Sequence, residues 1–402
     1  MNINEHISKY LINRHGGSER KETVLLDDGH QYILKESDPT RELHRDISYI
    51  NNALSEYLGC HIYQSVDIPV QETMLGWYIN KSGNQRLACL CRDVRPEGFE
   101  MTEFDKVGLS SVSTDGKTAS LPAAKALLSE LDGKISLEDG MRFYTDMFIV
   151  DSLIGNTDRH NGNWAILTNS DDTITYMSPV YDCGSSFSPM LSDENFVRTN
   201  VTNEALSTMS ALVGEKGNRI QYYPYFNRQD LPAEIVDALK RVIPRINTTS
   251  FKEITEQIQT EGYISDIRKN FYDDLLQTRF DRMLLPALEK QFGLNSDKKF
   301  EETYGLFRYF VSKITEQPLF EPKTYIAAGH HITVIKVNNK YALSVDESGN
   351  CNGVIRIRSN NKDLRLAASQ LQQLGLTADN LKAVANGRVQ TVNFRKKQNH
   401  LR

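Results

Sequence analysis

The sequence predicts an α+β chain built as a two-lobed enzyme, with a small mixed α/β domain appended at the C-terminus. Three observations predict it. The first hundred residues read as strands and turns around one helix, and helical patterns dominate from about Leu231 to Phe310. The charge then changes sign: the whole chain carries −5, yet from Glu321 to Arg402 there are 13 Lys plus Arg against 5 Asp plus Glu. At 402 residues the chain exceeds what one core usually organises. The expected divisions are 1–95 for a small lobe, 96–320 for a mainly helical large lobe, and 321–402 for a basic accessory domain.

Composition excludes several classes. With 39% hydrophobic and 25% charged residues this is an ordinary globular chain. The start, MNINEHISKYLINRHGG, has no basic leader followed by an apolar run, and no stretch approaches eighteen apolar residues. The expectation is therefore a cytoplasmic protein without a membrane span, or an effector secreted by a route the sequence does not show. Five cysteines, odd in number and scattered, make no disulfide framework, and Cys89-x-Cys91 lacks the second pair of a zinc site.

"VLLDDGHQYILK" places Asp-Asp-Gly between two apolar runs, a hairpin signal. Ile47, Ile50, Leu54 and Leu58 then follow helical spacing, with Gly59 expected to interrupt or bend the helix. "MLGWYI" and "QRLACLC" read as further strands. From Arg95 to Lys134 the chain is rich in Gly, Ser, Thr and charge, and reads as the passage between lobes with a mobile loop at its middle. "ISLEDGMRFYTDMFIVDSLI" opens on a cap-like Ser136-x-x-Asp139 and repeats Phe143, Met147, Val150 and Ile154 along one stripe. "WAILT" and "TITYM" form a strand pair. In the last segment "HITVIKVNNKYALSV" and "GVIRIRS" are strands, and "AASQLQQLG" and "TADNLKAVANG" short helices stopped by Gly.

The helix ending at Ile154 runs straight into "GNTDRHNGN", three Asn, an Asp, an Arg and a His ahead of a strand. Rigid elements on both sides are able to aim such a loop at a ligand. Asp158 precedes Asn163 by five residues, the offset at which a kinase catalytic loop sets a base and a magnesium ligand. Phosphoryl transfer needs a second metal-binding carboxylate, and "SPVYDCGSS" supplies Asp182 nineteen residues on. Upstream, "GGSERK" offers Gly16, Gly17 and Ser18 for backbone approach to phosphates, Lys35 closes a strand, and Glu56 lies on the following helix.

Together "GNTDRHNGN", "SPVYDCGSS", "YILK" and "LSEYLGCHIYQSVDIPVQET" resemble the HipA-type serine/threonine kinases, including their stand-alone CtkA-like branch, over roughly 13–310. The resemblance implies a protein-kinase-like fold, with ATP and magnesium as cofactors and a Ser or Thr hydroxyl of a protein as substrate. It implies Asp158 as catalytic base, Asn163 and Asp182 as magnesium ligands, and Lys35 on the phosphates with Glu56 as its ion-pair partner. Leu90, Cys91 and Arg92 would face adenine through their backbone. Arg159 and His160 would brace the loop, with His160 at the nucleotide's edge. Ser18 becomes the candidate for a silencing autophosphorylation. A regulatory or antitoxin-like protein partner also follows from the resemblance, although the N-terminal domain of the toxin has no counterpart ahead of Lys35.

Other readings stay open from sequence. Glu42 competes with Glu56, and lipid kinases also read D-R-H-x-x-N, although they usually follow with Asp-Phe-Gly where this chain has Asp182-Cys183-Gly184. A non-catalytic kinase-like regulator would act through the basic tail, "NFRKKQNHLR", on protein or nucleic acid. Tyr222, Tyr223, Tyr225 and Phe226 would line a peptide groove or pack in the core, and His330 and His331 stand without other ligands nearby.

Overall fold

The computed structural model describes residues 1–12, 21–37, 51–107, 119–131, 133–214 and 217–291, and the strand segments 323–327, 330–337, 340–346, 354–357 and 391–392. The chain divides into two compact units, Met1–Leu288 and Glu289–Arg402.

The first unit opens with an antiparallel sheet. Its strands are β1 (Ile7–Leu11), β2 (Lys21–Leu26), β3 (Gln31–Glu36), β4 (Thr73–Ile79) and β5 (Gln85–Arg92), in spatial order β1-β2-β3-β5-β4. The hairpin read from Asp-Asp-Gly is β2–β3, with Lys21 opposite Lys35. β1 had escaped the sequence reading because ISKYL buries nothing fully. One face of the sheet closes over Ile3, Val24, Leu26, Tyr32, Leu34, Tyr78, Ala88 and Leu90.

Helix α1 (Asn52–Ser65) crosses between β3 and β4 and is buried along most of its length. Gly59 does not interrupt it. Its role is closeness: a Cβ there would lie 2.5 Å from Cys183 Cβ. Gly59→Ala should therefore destabilise the fold by about 1–3 kcal/mol despite its better helix propensity, since Cys183 Cβ is fixed by its own main chain and cannot move aside cheaply. Urea unfolding of parent and variant measures it; an unchanged or raised midpoint would contradict the packing argument.

The passage between lobes is more ordered than its composition suggests. It contains β6 (Phe99–Glu103) and α2 (Leu121–Glu130), the latter capped by Ser120, whose side chain accepts from the Ala123 amide. The middle, where a mobile loop was expected, lies outside the described residues. α3 (Leu137–Ile154) is capped by Ser136 as predicted, but from Tyr144 to Ile154 it is buried on all sides rather than along one stripe, and Phe143 is only half-buried. It ends at Gly155 in the left-handed conformation, φ 69°.

β7 (Ala165–Asn169) and β8 (Thr175–Met177) form the expected pair, and β6 joins them as a three-stranded sheet. Smaller pieces follow: α4 (Asp193–Arg198), α5 (Val201–Ser207), the ribbon β9 (Met209–Val213) with β10 (Arg219–Gln221), and α6 (Tyr222–Phe226). Tyr222 and Phe226 are core residues packed on Phe148 rather than a groove lining. The helical stretch resolves into α7 (Ala233–Val242) packed on α3, α8 (Thr248–Thr260), α9 (Asp266–Arg279), a π turn at Phe280–Leu284, and α10 (Leu285–Gln291). Among the described residues no helix is long and apolar enough to cross a membrane.

In the second unit β11 (Lys323–Ala327), β12 (His330–Val337), β13 (Lys340–Asp346), β14 (Val354–Ile357) and β15 (Thr391–Val392) pair antiparallel in the order β14-β13-β12-β11-β15. The predicted strand-turn-strand is β12–β13, closing on Val337 opposite Lys340. The two helices expected after it lie outside the described residues.

Candidate active site

The polar loop after α3 owes its shape to one buried acid. Asp151, in the last turn of α3, accepts from Tyr63 Oη at 2.8 Å, Asn156 Nδ2 at 3.1 Å, and Arg159 through Nε at 2.9 Å and Nη2 at 3.2 Å. Arg159 in turn donates Nη1 to the carbonyls of Asn163 at 2.6 Å and Tyr181 at 2.5 Å. A single guanidinium thus joins the loop carrying Asp158 and Asn163 to the segment after β8 that carries Asp182. Burial alone would weaken such a cation, but Asp151 beside it keeps Arg159 firmly charged. The bracing role read for Arg159 has a partner the sequence did not disclose: Asp151 lies eight residues earlier, with no periodic spacing to betray the pairing.

Asp158 and Asn163 are tied directly, Asn163 Nδ2 donating to the Asp158 carbonyl at 2.7 Å. With the nitrogen engaged in that bond, the amide oxygen is the atom of this side chain that could meet a cation. His160 Nδ1 accepts from the Gly162 amide at 3.0 Å, which puts the neutral ring's proton on Nε2, 3.9 Å from Asp158 Oδ1.

From the sheet side, Lys35 Nζ lies 2.7 Å from both Glu56 Oε2 and Asp182 Oδ1. Lys35 and Glu56 are buried, and Glu56 Oε1 also accepts the Cys183 amide at 3.0 Å. Glu56, two and a half turns before the end of α1, is therefore the acid on this lysine, while Glu42 lies outside the described residues. Asp182 itself has φ 58°, a left-handed shape that Asp tolerates better than most residues. Its neighbour Tyr181 donates Oη to the Gly162 carbonyl at 3.1 Å.

The two carboxylates are electrostatically opposite. Burial pushes the Asp158 carboxyl up and the Asp182 charge adds to this, against His160, Arg219 and Arg159. Burial also acts to raise Asp182, but Lys35 beside it, with Lys21 and Arg159 farther off, holds it well below the usual carboxylate range. Lys21, last residue of GGSERK and cross-strand neighbour of Lys35, is a contributor that the sequence reading passed over.

Not every expected residue joins this centre. Leu90 pairs with Leu34 on one side and Met74 on the other, and Cys91 with Ile33 and Thr73. The Arg92 amide donates to the Glu72 carbonyl and its own carbonyl accepts from Gln71 Nε2. Ladders on both sides take up this backbone, so a base meeting the main chain would do so beyond Arg92. Gly16, Gly17 and Ser18 lie outside the described residues.

The donor set suits magnesium. Among the described residues no group of three or more His, Cys, Asp or Glu is placed to hold a metal. Asn163 and Asp182 instead combine one amide oxygen with one carboxylate, which fits an ion that keeps several waters and takes its other oxygens from phosphates.

No protein-family model matches the chain. The serine/threonine-protein kinase CtkA of Helicobacter pylori strain J99 is 29% identical to it over 294 residues, 71% of this chain and 86% of CtkA. The crystal structure of a Helicobacter pylori proinflammatory kinase CtkA superposes with a TM-score of 0.59 at 26% identity, covering 69% of this chain and 97% of that one. HipA of Shewanella oneidensis MR-1, solved with HipB and operator DNA, gives a TM-score of 0.43 at 15% identity over 70% of this chain and 69% of that one, a likeness too slight to build on.

Proposed function

We propose that the chain is a kinase of the HipA type, on its CtkA-like branch, and that it transfers the γ-phosphoryl group of ATP to a serine or threonine hydroxyl of a protein, with magnesium, and phosphorylates itself as well. The observation that carries this reading is the buried Lys35 held at 2.7 Å from both Glu56 and Asp182. A lysine placed by one acid and set against a second is what phosphate positioning requires.

Asp158 accepts the proton of the acceptor hydroxyl as its oxygen bonds to the γ-phosphorus and the bond to the β-phosphate oxygen breaks, releasing ADP. Burial and the nearby Asp182 charge raise its carboxyl, which makes the carboxylate a better proton acceptor. Lys35 steadies the phosphates, and Glu56 keeps it from swinging away. Asn163 Oδ1 and the Asp182 carboxylate would hold magnesium, which when bound offsets charge on the transferring phosphoryl group. We read 1–95 as the small lobe, 96–320 as the large lobe and 321–402 as an accessory domain.

Mass spectrometry of the purified protein with and without ATP and magnesium, alone and with casein, tests this. Additions of about 80 Da per site, the mass of a phosphoryl group, are expected in the parent and not in Asp182→Ala. Label appearing only in phosphoinositide vesicles would replace this function with a lipid kinase.

A further inference from the structure

Helix α1 begins against its own local preference. Asn51 occupies the N-cap, where its side-chain oxygen would ordinarily accept a first-turn amide, yet it makes no such bond. Instead Asn51 Nδ2 donates to the Leu191 carbonyl at 2.6 Å, and its main-chain amide donates to the Pro189 carbonyl at 3.0 Å. One turn later Ser55 Oγ donates to the Ser186 carbonyl at 2.6 Å, and Glu56 takes the Cys183 amide. A single end of one helix therefore holds the chain from 183 to 191, the stretch directly behind Asp182.

That stretch keeps a shape it would not adopt alone. Phe187 and Ser188 are both left-handed, at φ 58° and 54°, which is uncommon for a bulky residue. Phe187 is fully buried with its ring 5.5 Å from that of Tyr272, and Ser188 Oγ donates to Glu204 at 2.5 Å. A sacrificed helix cap and two strained residues, all at one junction, mark a place where local rules yield to a functional arrangement.

We propose that Asn51 and Ser55 are positioning residues that lock α1 to residues 183–191, so that Glu56 and Asp182 are held as one rigid unit and the segment needs no phosphate to take its working shape. This rests on the kinase function above. A phosphorylated segment is ordered by recruiting an arginine. Arg159, the arginine of the adjoining loop, is already taken by Asp151 and two carbonyls. Ser185 and Ser186 are buried, and Ser188 is bound to Glu204.

Two substitutions separate this from a packing role. Asn51→Asp keeps the side chain's shape but puts an acceptor against the Leu191 carbonyl, and Ser55→Ala removes one oxygen. The second keeps the test alive if the first folds poorly. The full chain, stripped of phosphate by a phosphatase, is assayed for initial rates with casein, and amide hydrogen exchange across 183–191 is followed separately without nucleotide. Stripped parent should work at full rate from its first turnovers. Each variant should lose about tenfold in kcat with the KM for ATP within about twofold, and its 183–191 amides should exchange faster. Variants whose segment exchanges like the parent's, or a stripped parent that shows a lag removed by phosphorylation within 185–192, overturn the proposal. A parent that never transfers phosphate sinks the kinase function itself, while the exchange measurement still decides the lock.

Discussion

Asp158→Asn and Asp182→Asn should both lose phosphoryl transfer, by about 10²–10³-fold or more, yet move the melting temperature in opposite directions at neutral pH. The loss of activity follows from their proposed roles as proton acceptor and magnesium ligand. The split in stability follows from their surroundings. Asp158 is raised by burial and by Asp182, so ionising it costs more in the folded chain than in the unfolded one. The favourable contribution of its neutral form is complete below the unfolded pKa and vanishes as pH rises through the folded one. At pH 7 the carboxylate therefore only burdens the fold, and Asn should raise the melting temperature slightly, since the side chain is 51% exposed and screened by water.

Asp182 has the reverse sign. Held below its ordinary range by Lys35 despite burial, it stabilises the folded chain above the unfolded pKa, and that contribution is lost as pH falls through the folded value. Asp182→Asn should lower the melting temperature at pH 7, and the gap to the parent should narrow on acidification below the ordinary carboxylate pKa. Scanning calorimetry at pH 7 and at the lowest pH where the parent remains folded, beside the phosphotransfer assay, gives both signs. A stabilised Asp182→Asn, or turnover surviving in either variant, would contradict the assignment.

The second large effect is structural. Arg159→Met should destabilise the first unit by about 3–5 kcal/mol, because Asp151 would keep a buried charge with no cation beside it. It also frees the Asn163 and Tyr181 carbonyls, so ATP-dependent labelling should fall with it. Adding Asp151→Leu to remove the stranded charge should recover stability but not labelling, since the bridge between the two halves of the site stays broken. Urea unfolding of the single and double variants measures this. A double variant no more stable than Arg159→Met would mean that the ion pair is not the source of the loss.

Much of this arrangement was legible without coordinates because its signals are local. Alternation and Asp-Asp-Gly gave β2–β3, and Ser136 with an apolar repeat gave α3. The spacing from Asp158 to Asn163 and the run before Asp182 marked the polar loop as a phosphate-handling candidate. The weak pieces were those whose stability comes from neighbours: β1 buries no residue fully, and α2 hid in a stretch whose composition suggested a loop. Gly59 read as a helix breaker because nothing nearby in sequence indicates that Cys183 presses against it.

The sequence alone therefore determined which residue types stand at which intervals, and so the family resemblance, the main elements and the list of candidate groups. Tertiary structure decided how those groups engage one another: that Glu56 rather than a free acid holds Lys35, that Asp151 anchors Arg159, that the backbone from Leu90 to Arg92 is already paired, and that Asn51 abandons its helix cap for Leu191. The reason is physical. Periodicity and capping act over a few residues and leave a trace in the order of amino acids. Charge pairing and desolvation act through space between segments more than a hundred residues apart, such as Lys35 and Asp182, and take their sign from burial that exists only once the chain has folded.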